Sequence, residues 1–487
     1  MLLQESSRIG LNASALLVSR FLGLALSLVQ SGLIFRSLGV DGTGQFGFAL
    51  GYASLFTVFA TLGIHRLLMR DISRNPDLAG RYLWTAELVV GVLSILVFIV
   101  VVASTLQMDQ APQVRWAVAM AALSVIVLWA LQQPFEGLLL AKERMVSVAL
   151  VNILGAALRL LCVYMTLHLA ASSAIAHGAI ALGNVLTLLV CVGLTFAMVG
   201  WLRPQIHLAL AWAQVRECSP FMLAMVFSLI YFKLDISLLM LLKGEVAVGM
   251  YTPAQRVTEP IMMLAGLWGT SVFPALCRFS LDTSERYAKL KKASIRLALL
   301  IAFPVAFGLG LLAEPIINLL VGARAGEFSQ SVRALQVLAF VIPLFYFNGI
   351  VQEILYASHR DWSIVGSYGL AAIVSVLGNL LFIPLFGVFA VPAVAFMANL
   401  CICVMFGYLI RIELGSMNLI GFALRSVASC SVMGLGAYTV GRHSLPAGVA
   451  LGMILYAVMQ WILNTLEPDE RRMLVRAAQN LWAQVRS

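Results

Sequence analysis

The residues of this chain able to do chemistry are ionisable side chains set inside long apolar runs. Arg20 stands in the run from about Leu11 to Phe35, and Arg159 in one centred near Gly155. Lys233, Asp235, Arg256 and Glu259 fall within IYFKLDISLLMLLKGEVAVGMYTPAQRVTEP, between Ile230 and Pro260. A charge inside an apolar span costs roughly 2.5–3.5 kcal/mol on insertion scales. Such groups persist where they pair with one another or line a water-filled path. Ser27 and Ser31 follow Arg20 on nearly the same helical face. A polar stripe beside a buried cation suits a wall that binds phosphate. An arginine paired with a carboxylate or backbone carbonyls to hold helices together is the other reading.

Asp235 and Arg256 lie at similar distances before and after the turn Lys243-Gly244-Glu245. At ~1.5 Å per residue both sit on the order of 10–12 Å below one membrane surface. They can meet as an ion pair between adjacent helices, or either can contact substrate. Arg256 with Glu259, one turn on, can equally form a local pair. Lys233, two residues from Asp235, faces away from it. Glu136 and Glu353 lie near the cytoplasmic ends of their helices, close to Arg144 and Arg360, where interfacial pairing is favoured over proton coupling, and His168 and His177 are expected at a surface. The residue types form no metal cluster, no nucleophile with its base and no phosphate-cradling glycine loop, so the expectation is a protein that is not an enzyme and needs no cofactor.

The elements that must hold these side chains are membrane spans. The chain has 487 residues, 61% apolar and only 11% charged. Apolar runs near the ~20 residues needed to cross a bilayer recur from end to end, which implies helices that satisfy their own backbone polar groups. The formal charge of +10 resides in short connectors rather than in a basic, aromatic-bearing module, which argues against nucleic acid as a partner. The seven cysteines lie in or beside spans without metal-type spacing and read as packing residues. The first apolar run is long enough to span and lacks a small-residue cleavage site, so no cleavable signal is expected.

Arginines and lysines concentrate in alternate connectors: Arg66, Arg70, Arg74 and Arg81, then Lys142 and Arg144, then Lys289, Lys291 and Lys292. The opposite connectors hold far fewer, so both termini are expected in the cytoplasm and Glu314–Arg333 outside. The tail EPDERRMLVRAAQNLWAQVRS reads as a short amphipathic helix on the inner leaflet.

A constant step along the chain superposes two hairpins. Gly39 falls on Gly244, Gly44 on Gly249, Phe46 on Tyr251, Ala49 on Ala254 and Gln30 on Asp235. The repeat continues at a slightly larger step from Leu139–Arg144 to Leu355–Arg360. The reading is therefore an all-α polytopic membrane protein of about fourteen transmembrane helices, in two pseudo-symmetric six-helix lobes plus two extra C-terminal helices. The boundaries are 1–208, 209–415 and 416–487, the last including the basic tail.

RFLGLALSLVQSGLIFRSLGVDGTGQFGFALGYASLF, followed by IHRLLMRDISR, resembles the opening signature of bacterial polysaccharide-export (O-antigen-type) flippases. KLDISLLMLLKGEVAVGMYTPAQRV resembles the second-lobe signature of the same family, within the multidrug/oligosaccharidyl-lipid/polysaccharide exporter superfamily. The resemblance implies two lobes around a central cavity and alternating access. It also implies translocation of undecaprenyl-pyrophosphate-linked oligosaccharide across the bacterial inner membrane, for surface lipopolysaccharide or exopolysaccharide. It leaves proton or sodium coupling open, and makes membrane lipids, a polysaccharide polymerase and chain-length machinery the candidate partners. The alternative within the superfamily is cation-coupled multidrug export, which would favour acidic cavities over the cations Arg20, Arg159, Lys233 and Arg256. A membrane glycosyl polymerase or ligase would need a larger outer loop than Glu314–Arg333.

Overall fold

The computed structural model describes residues 2–108, 110–168, 171–279, 285–358, 360–414, 419–441, 444–463 and 465. The amphipathic tail expected after Glu467 lies outside these residues. The described chain is helical almost throughout: α1 (Leu2–Leu55), α2 (Thr57–Thr61), α3 (Ile64–Arg74), α4 (Ala79–Leu106), α5 (Pro112–Ala122), α6 (Trp129–Ala141), α7 (Met145–Leu167) and α8 (Ser173–Val199). There follow α9 (Leu208–Phe279), α10 (Glu285–Leu311), α11 (Ala313–Val321), α12 (Ser329–Ala357), α13 (Asp361–Phe386), α14 (Ala390–Leu414), α15 (Leu419–Gly441) and α16 (Leu445–Ile462).

Eight helical segments among the described residues are long and apolar enough to cross a membrane. Two of them, Val18–Leu55 and Trp362–Ile412, run for 38 and 51 residues, against about 20 for a single crossing. The first bends at Gly39 and the second is interrupted by the 3₁₀ turn Gly387–Phe389, so each has the length for two crossings. Val92, Ile95, Leu96, Ile99 and Val100 on α4 stay exposed, as side chains in lipid do, while Leu83, Ala86, Val90 and Val101 are buried. The protein is an all-α polytopic membrane protein.

Two compact units are distinguishable. The first comprises the chain to Arg256 with Leu319–Ser329 and Val376–Val391; the second comprises Val257–Asn318, Gln330–Ser375 and the described chain from Pro392 onward. Both duplicated hairpins therefore belong to the first unit. Their bends match: Gly39 has φ 69°, ψ −170° and Gly244 has φ 78°, ψ −173°. This corner of backbone space is open essentially to glycine alone, which is why each repeat carries glycine there. Small residues let the hairpin helices approach closely, the usual device for packing helices in lipid.

Two connectors read from sequence as loops are structured. Ile64–Arg74 is helical, entered through left-handed Leu62 and Gly63; it buries Ile64, Leu67, Leu68 and Ile72 and lies against α6, where a Cβ on Gly137 would stand 3.0 Å from the His65 carbonyl. Glu314–Arg333 comprises most of α11, the 3₁₀ turn Gly322–Phe328 and the start of α12. Arg36 donates through Nε to the Leu320 carbonyl at 3.2 Å and through Nη2 to that of Leu319. A cation thereby caps the last carbonyls of α11 and opposes its dipole.

In the second unit, interhelical hydrogen bonds fix the packing. Tyr346 donates to the Ile261 carbonyl at 3.1 Å, Asn348 to that of Asn399 at 3.0 Å and Tyr456 to that of Leu300 at 2.8 Å. Arg296 donates to the Thr465 carbonyl at 2.7 Å and lies over the Phe422 ring.

Candidate functional site

The polar centre of the first unit is built on α5 to α8. Between α5 and α6 the helix widens into a π turn over Leu123–Leu128. Such turns loosen the regular bonding of a helix and free polar groups to act elsewhere. Here Ser124 is buried and accepts from Asn184 Nδ2 of α8 at both its hydroxyl (2.8 Å) and its carbonyl (3.2 Å). With its amide fixed, Asn184 presents Oδ1 to Arg159 of α7, which donates through Nη1 at 3.1 Å.

Space for the arginine comes from two glycines. A Cβ on Gly183 would stand 2.7 Å from the Arg159 Cα and Cγ, and one on Gly155 would stand 2.6 Å from Thr187 and 3.3 Å from Arg159 Nη1. Glu136 of α6 accepts from Gln132, one turn earlier, at 2.6 Å. Its carboxylate feels the charges of Arg159 and, less strongly, of Arg20. Glu136 and Arg159 nevertheless do not close to salt-bridge distance among the described residues. A second acidic side chain, Glu87 on α4, has its Oε1 buried with no hydrogen-bond partner among the described residues.

The sequence-derived candidates divide across this frame. Arg20 and Arg159 converge electrostatically on Glu136. Ser31 is buried and donates back to the Ser27 carbonyl at 2.9 Å, so its hydroxyl serves its own helix; Ser27 is partly buried beside it. Asp235, half-buried on α9, accepts from the Tyr251 hydroxyl at 3.2 Å and from the backbone of Ile236 at 2.8 Å. Lys233 and Arg256 are half-buried on the same helix, and the charge of Arg256 reaches His177. Glu259 lies beyond Arg256, in the second unit.

Two expectations are corrected. His177 is not at a surface: it is 1% exposed, stacks on Phe46 at 4.2 Å between centroids, and its Nε2 lies 3.1 Å from the Phe46 carbonyl. Glu136 does not serve only an interfacial pair with Arg144, because it faces Gln132, Arg159 and Arg20. Gln132, Asn184, Ser124 and Glu87 were passed over. For Asn184 and Glu87 the signal was present as isolated polar residues in apolar runs, whereas Ser124 depends on the π turn.

Among the described residues the Arg159 guanidinium donates to Asn184 alone and so keeps N–H donors for a further partner. The sequence matches the polysaccharide biosynthesis protein family over residues 9–280, more than half of the chain. The chain belongs to this family. This family member matches no curated protein. Solved structures share its fold. The lipid II flippase MurJ, in an inward closed conformation, superposes with a TM-score of 0.74 at 13% identity, covering 93% of this chain and 98% of that one. A multidrug resistance MATE family transporter of the MOP superfamily, inward-facing, gives a TM-score of 0.61 at 15% identity, covering 80% and 94%. A MOP superfamily transporter from Pyrococcus furiosus gives 0.52 at 13% identity, covering 83% and 95%. At such identities the likeness establishes the fold, that of the transporters of this superfamily.

Proposed function

We propose that this protein is a flippase for undecaprenyl-pyrophosphate-linked oligosaccharide, working by alternating access between two six-helix lobes in the bacterial inner membrane. The observation that carries the reading is Arg159: a cation inside a polysaccharide-family membrane protein, oriented by Asn184 and donating to no other side chain among the described residues. A fork of N–H donors matches phosphate oxygens bidentately, and the strength of each such bond grows as water is excluded. Arg20 adds a second positive charge to the same region. The polyprenyl chain stays in lipid while the pyrophosphate and sugars pass through the protein. Lys233, Asp235, Arg256, Glu259 and Ser27 complete the proposed set of substrate contacts, Ser31 being turned onto its own helix, with polymerase and chain-length machinery receiving the product.

Drug export shares the fold, since MATE transporters superpose on this chain. An organic cation would meet Arg20 and Arg159 as like charges, which disfavours it. Proteoliposomes holding a fluorescent lipid-linked oligosaccharide test the reading directly. We expect the purified protein to expose the glycan to an impermeant glycosidase faster than empty vesicles do, and to leave a fluorescent organic cation where it was. Cation export with no glycan exposure would assign the protein to the drug-exporting branch instead.

A further inference from the structure

The segment that joins α8 to α9, residues 200–207, is not helical and is laid along the first turns of α4. Trp84 Nε1 donates to the Leu202 carbonyl at 3.0 Å, and the His207 amide donates to Thr85 Oγ1 at 3.3 Å. A Cβ on Gly80 would stand 3.3 Å from the Arg203 carbonyl, so the strap lies close against the helix. These contacts hold it through its main chain and leave its own side chains to face outward. Trp201, Leu208 and Trp212 are 72%, 76% and 71% exposed. Leu208 and Trp212 stand one turn apart on α9, while Gln214 is buried and turns toward the Tyr82 carbonyl at 3.5 Å.

Two physical limits fix the level of this surface in the bilayer. Backbone outside a helix or closed sheet cannot face hydrocarbon, where no water satisfies its polar groups. Two tryptophans and a leucine this exposed are equally unfavourable in bulk water. The headgroup layer meets both limits, and tryptophan is enriched there. The surface is also positively charged. Neither Arg81, next to Gly80, nor Arg203 meets a carboxylate among the described residues, and Arg81 Nε is buried without a hydrogen-bond partner. Both belong to the arginine-rich set of connectors, expected at the cytoplasmic face, where anionic lipids create a negative surface potential.

We propose that this strap is a docking site for anionic phospholipid of the inner leaflet, with Trp201, Leu208 and Trp212 seated in the interface and Arg81 and Arg203 holding the headgroup phosphate. The inference goes beyond the flippase reading and stands without it. A guanidinium fork matches two phosphate oxygens, and here one fork comes from α4 and the other from the strap. A bound headgroup therefore bridges the two and fastens the connection between α8 and α9 to the membrane surface. Free phosphate shares this chemistry, but the exposed apolar side chains beside the arginines favour a phosphate that carries acyl chains.

Tryptophan fluorescence tests it on the full-length protein. Nanodiscs of phosphatidylcholine are prepared with a rising fraction of phosphatidylglycerol brominated near the top of its acyl chains, or of phosphatidylcholine brominated in the same way. The wild-type protein should be half-quenched at a phosphatidylglycerol fraction about tenfold lower than the phosphatidylcholine fraction, since each arginine near the surface attracts anionic lipid by about tenfold or less. Trp201→Phe with Trp212→Phe should lose this selective quenching, and Arg81→Gln with Arg203→Gln should bring the two lipids to the same fraction. Equal quenching of the wild-type protein by both lipids overturns the proposal, as does selective quenching that survives in the phenylalanine variant. The wild-type and phenylalanine proteins decide alone should the glutamine variant fail to fold. Loss of the preference on adding inorganic phosphate would assign the arginines to a free anion and overturn the lipid site. Full access of acrylamide to Trp201 and Trp212 would place them in water, leave the face to a protein partner and overturn it equally.

Discussion

Gly44 packs directly on the backbone of Glu245, and a Cβ placed on it would overlap the Glu245 carbonyl oxygen. The same step that superposes the two hairpins carries Gly44 to Gly249 and Val40 to Glu245. The structure shows the reciprocal contact, with a Cβ on Gly249 overlapping the Val40 carbonyl. Each repeat thus presses its glycine into the turn of the other, the contact pattern of a two-fold axis. Gln45 seals the crossing: its Nε2 donates to the Glu245 carboxylate at 2.9 Å while its Oε1 accepts from Ser173 at 2.8 Å.

Gly44→Ala and Gly249→Ala should therefore each destabilise the folded protein, by about 1–3 kcal/mol, as overpacked interiors do. The comparison is Gly266→Ala, where no heavy atom lies within 4 Å of the added methyl. There the gain in helix propensity, up to about 1 kcal/mol, should leave stability unchanged or slightly higher. Thermal unfolding in detergent checks both. Equal melting temperatures for all the variants would mean that the crossing is not close-packed.

Gln45 and Glu245 also offer a way to lock the crossing. Cysteines in their places, in a background without the native cysteines, stand close enough for a short bifunctional thiol reagent to bridge. If the hairpins must part during transport, cross-linking should arrest glycan exposure in proteoliposomes and each single-cysteine variant should keep it. Full activity after complete cross-linking would show that the crossing stays closed throughout the cycle.

Much of this is legible in the amino-acid sequence itself. The helical class follows from apolar run length, and the repeat from glycines whose backbone positions no other residue occupies comfortably, Gly39 and Gly244 foremost. Less accessible was anything that depends on how distant helices meet. Ser31 lies on the face of Arg20, yet its hydroxyl turns back onto its own helix, an outcome set by rotamer rather than by spacing. Asp235 was matched to Arg256 by depth, but depth says nothing of Tyr251, whose hydroxyl reaches it. Glu136 looked interfacial because it lies near a helix end, and only the packing of α6 beside α7 turns it toward Arg159.

Topology is open to a direct test, from the unequal distribution of arginine and lysine between alternate connectors. Phe328 is fully buried and would make a poor reporter, whereas the Glu327 side chain is 48% exposed in its pair with Arg324. A cysteine replacing Glu327 should react with an impermeant maleimide added to intact spheroplasts, and cysteines near either terminus should react only after permeabilisation. Labelling of the Glu327→Cys protein from the cytoplasmic side alone would invert the arrangement.

The last prediction concerns what drives the cycle. A pyrophosphate diester carries about two negative charges, and each charge crossing the full membrane potential changes the free energy by about 2.3 kcal/mol per 100 mV. Movement toward the positive side therefore gains roughly 4–5 kcal/mol per 100 mV if the charges cross uncompensated. The cations Arg20 and Arg159 would cancel that gain if they travelled with the substrate. Our hypothesis is that the substrate's own charge couples export to the potential, with a proton or sodium gradient as a second source to be separated from it. In proteoliposomes loaded with lipid-linked oligosaccharide, a potassium diffusion potential positive on the receiving side should accelerate flipping, and reversing its sign should slow it. Proton and sodium gradients imposed at zero potential isolate the second source. One rate under every potential and every gradient would make the protein a passive scramblase and end the coupling hypothesis.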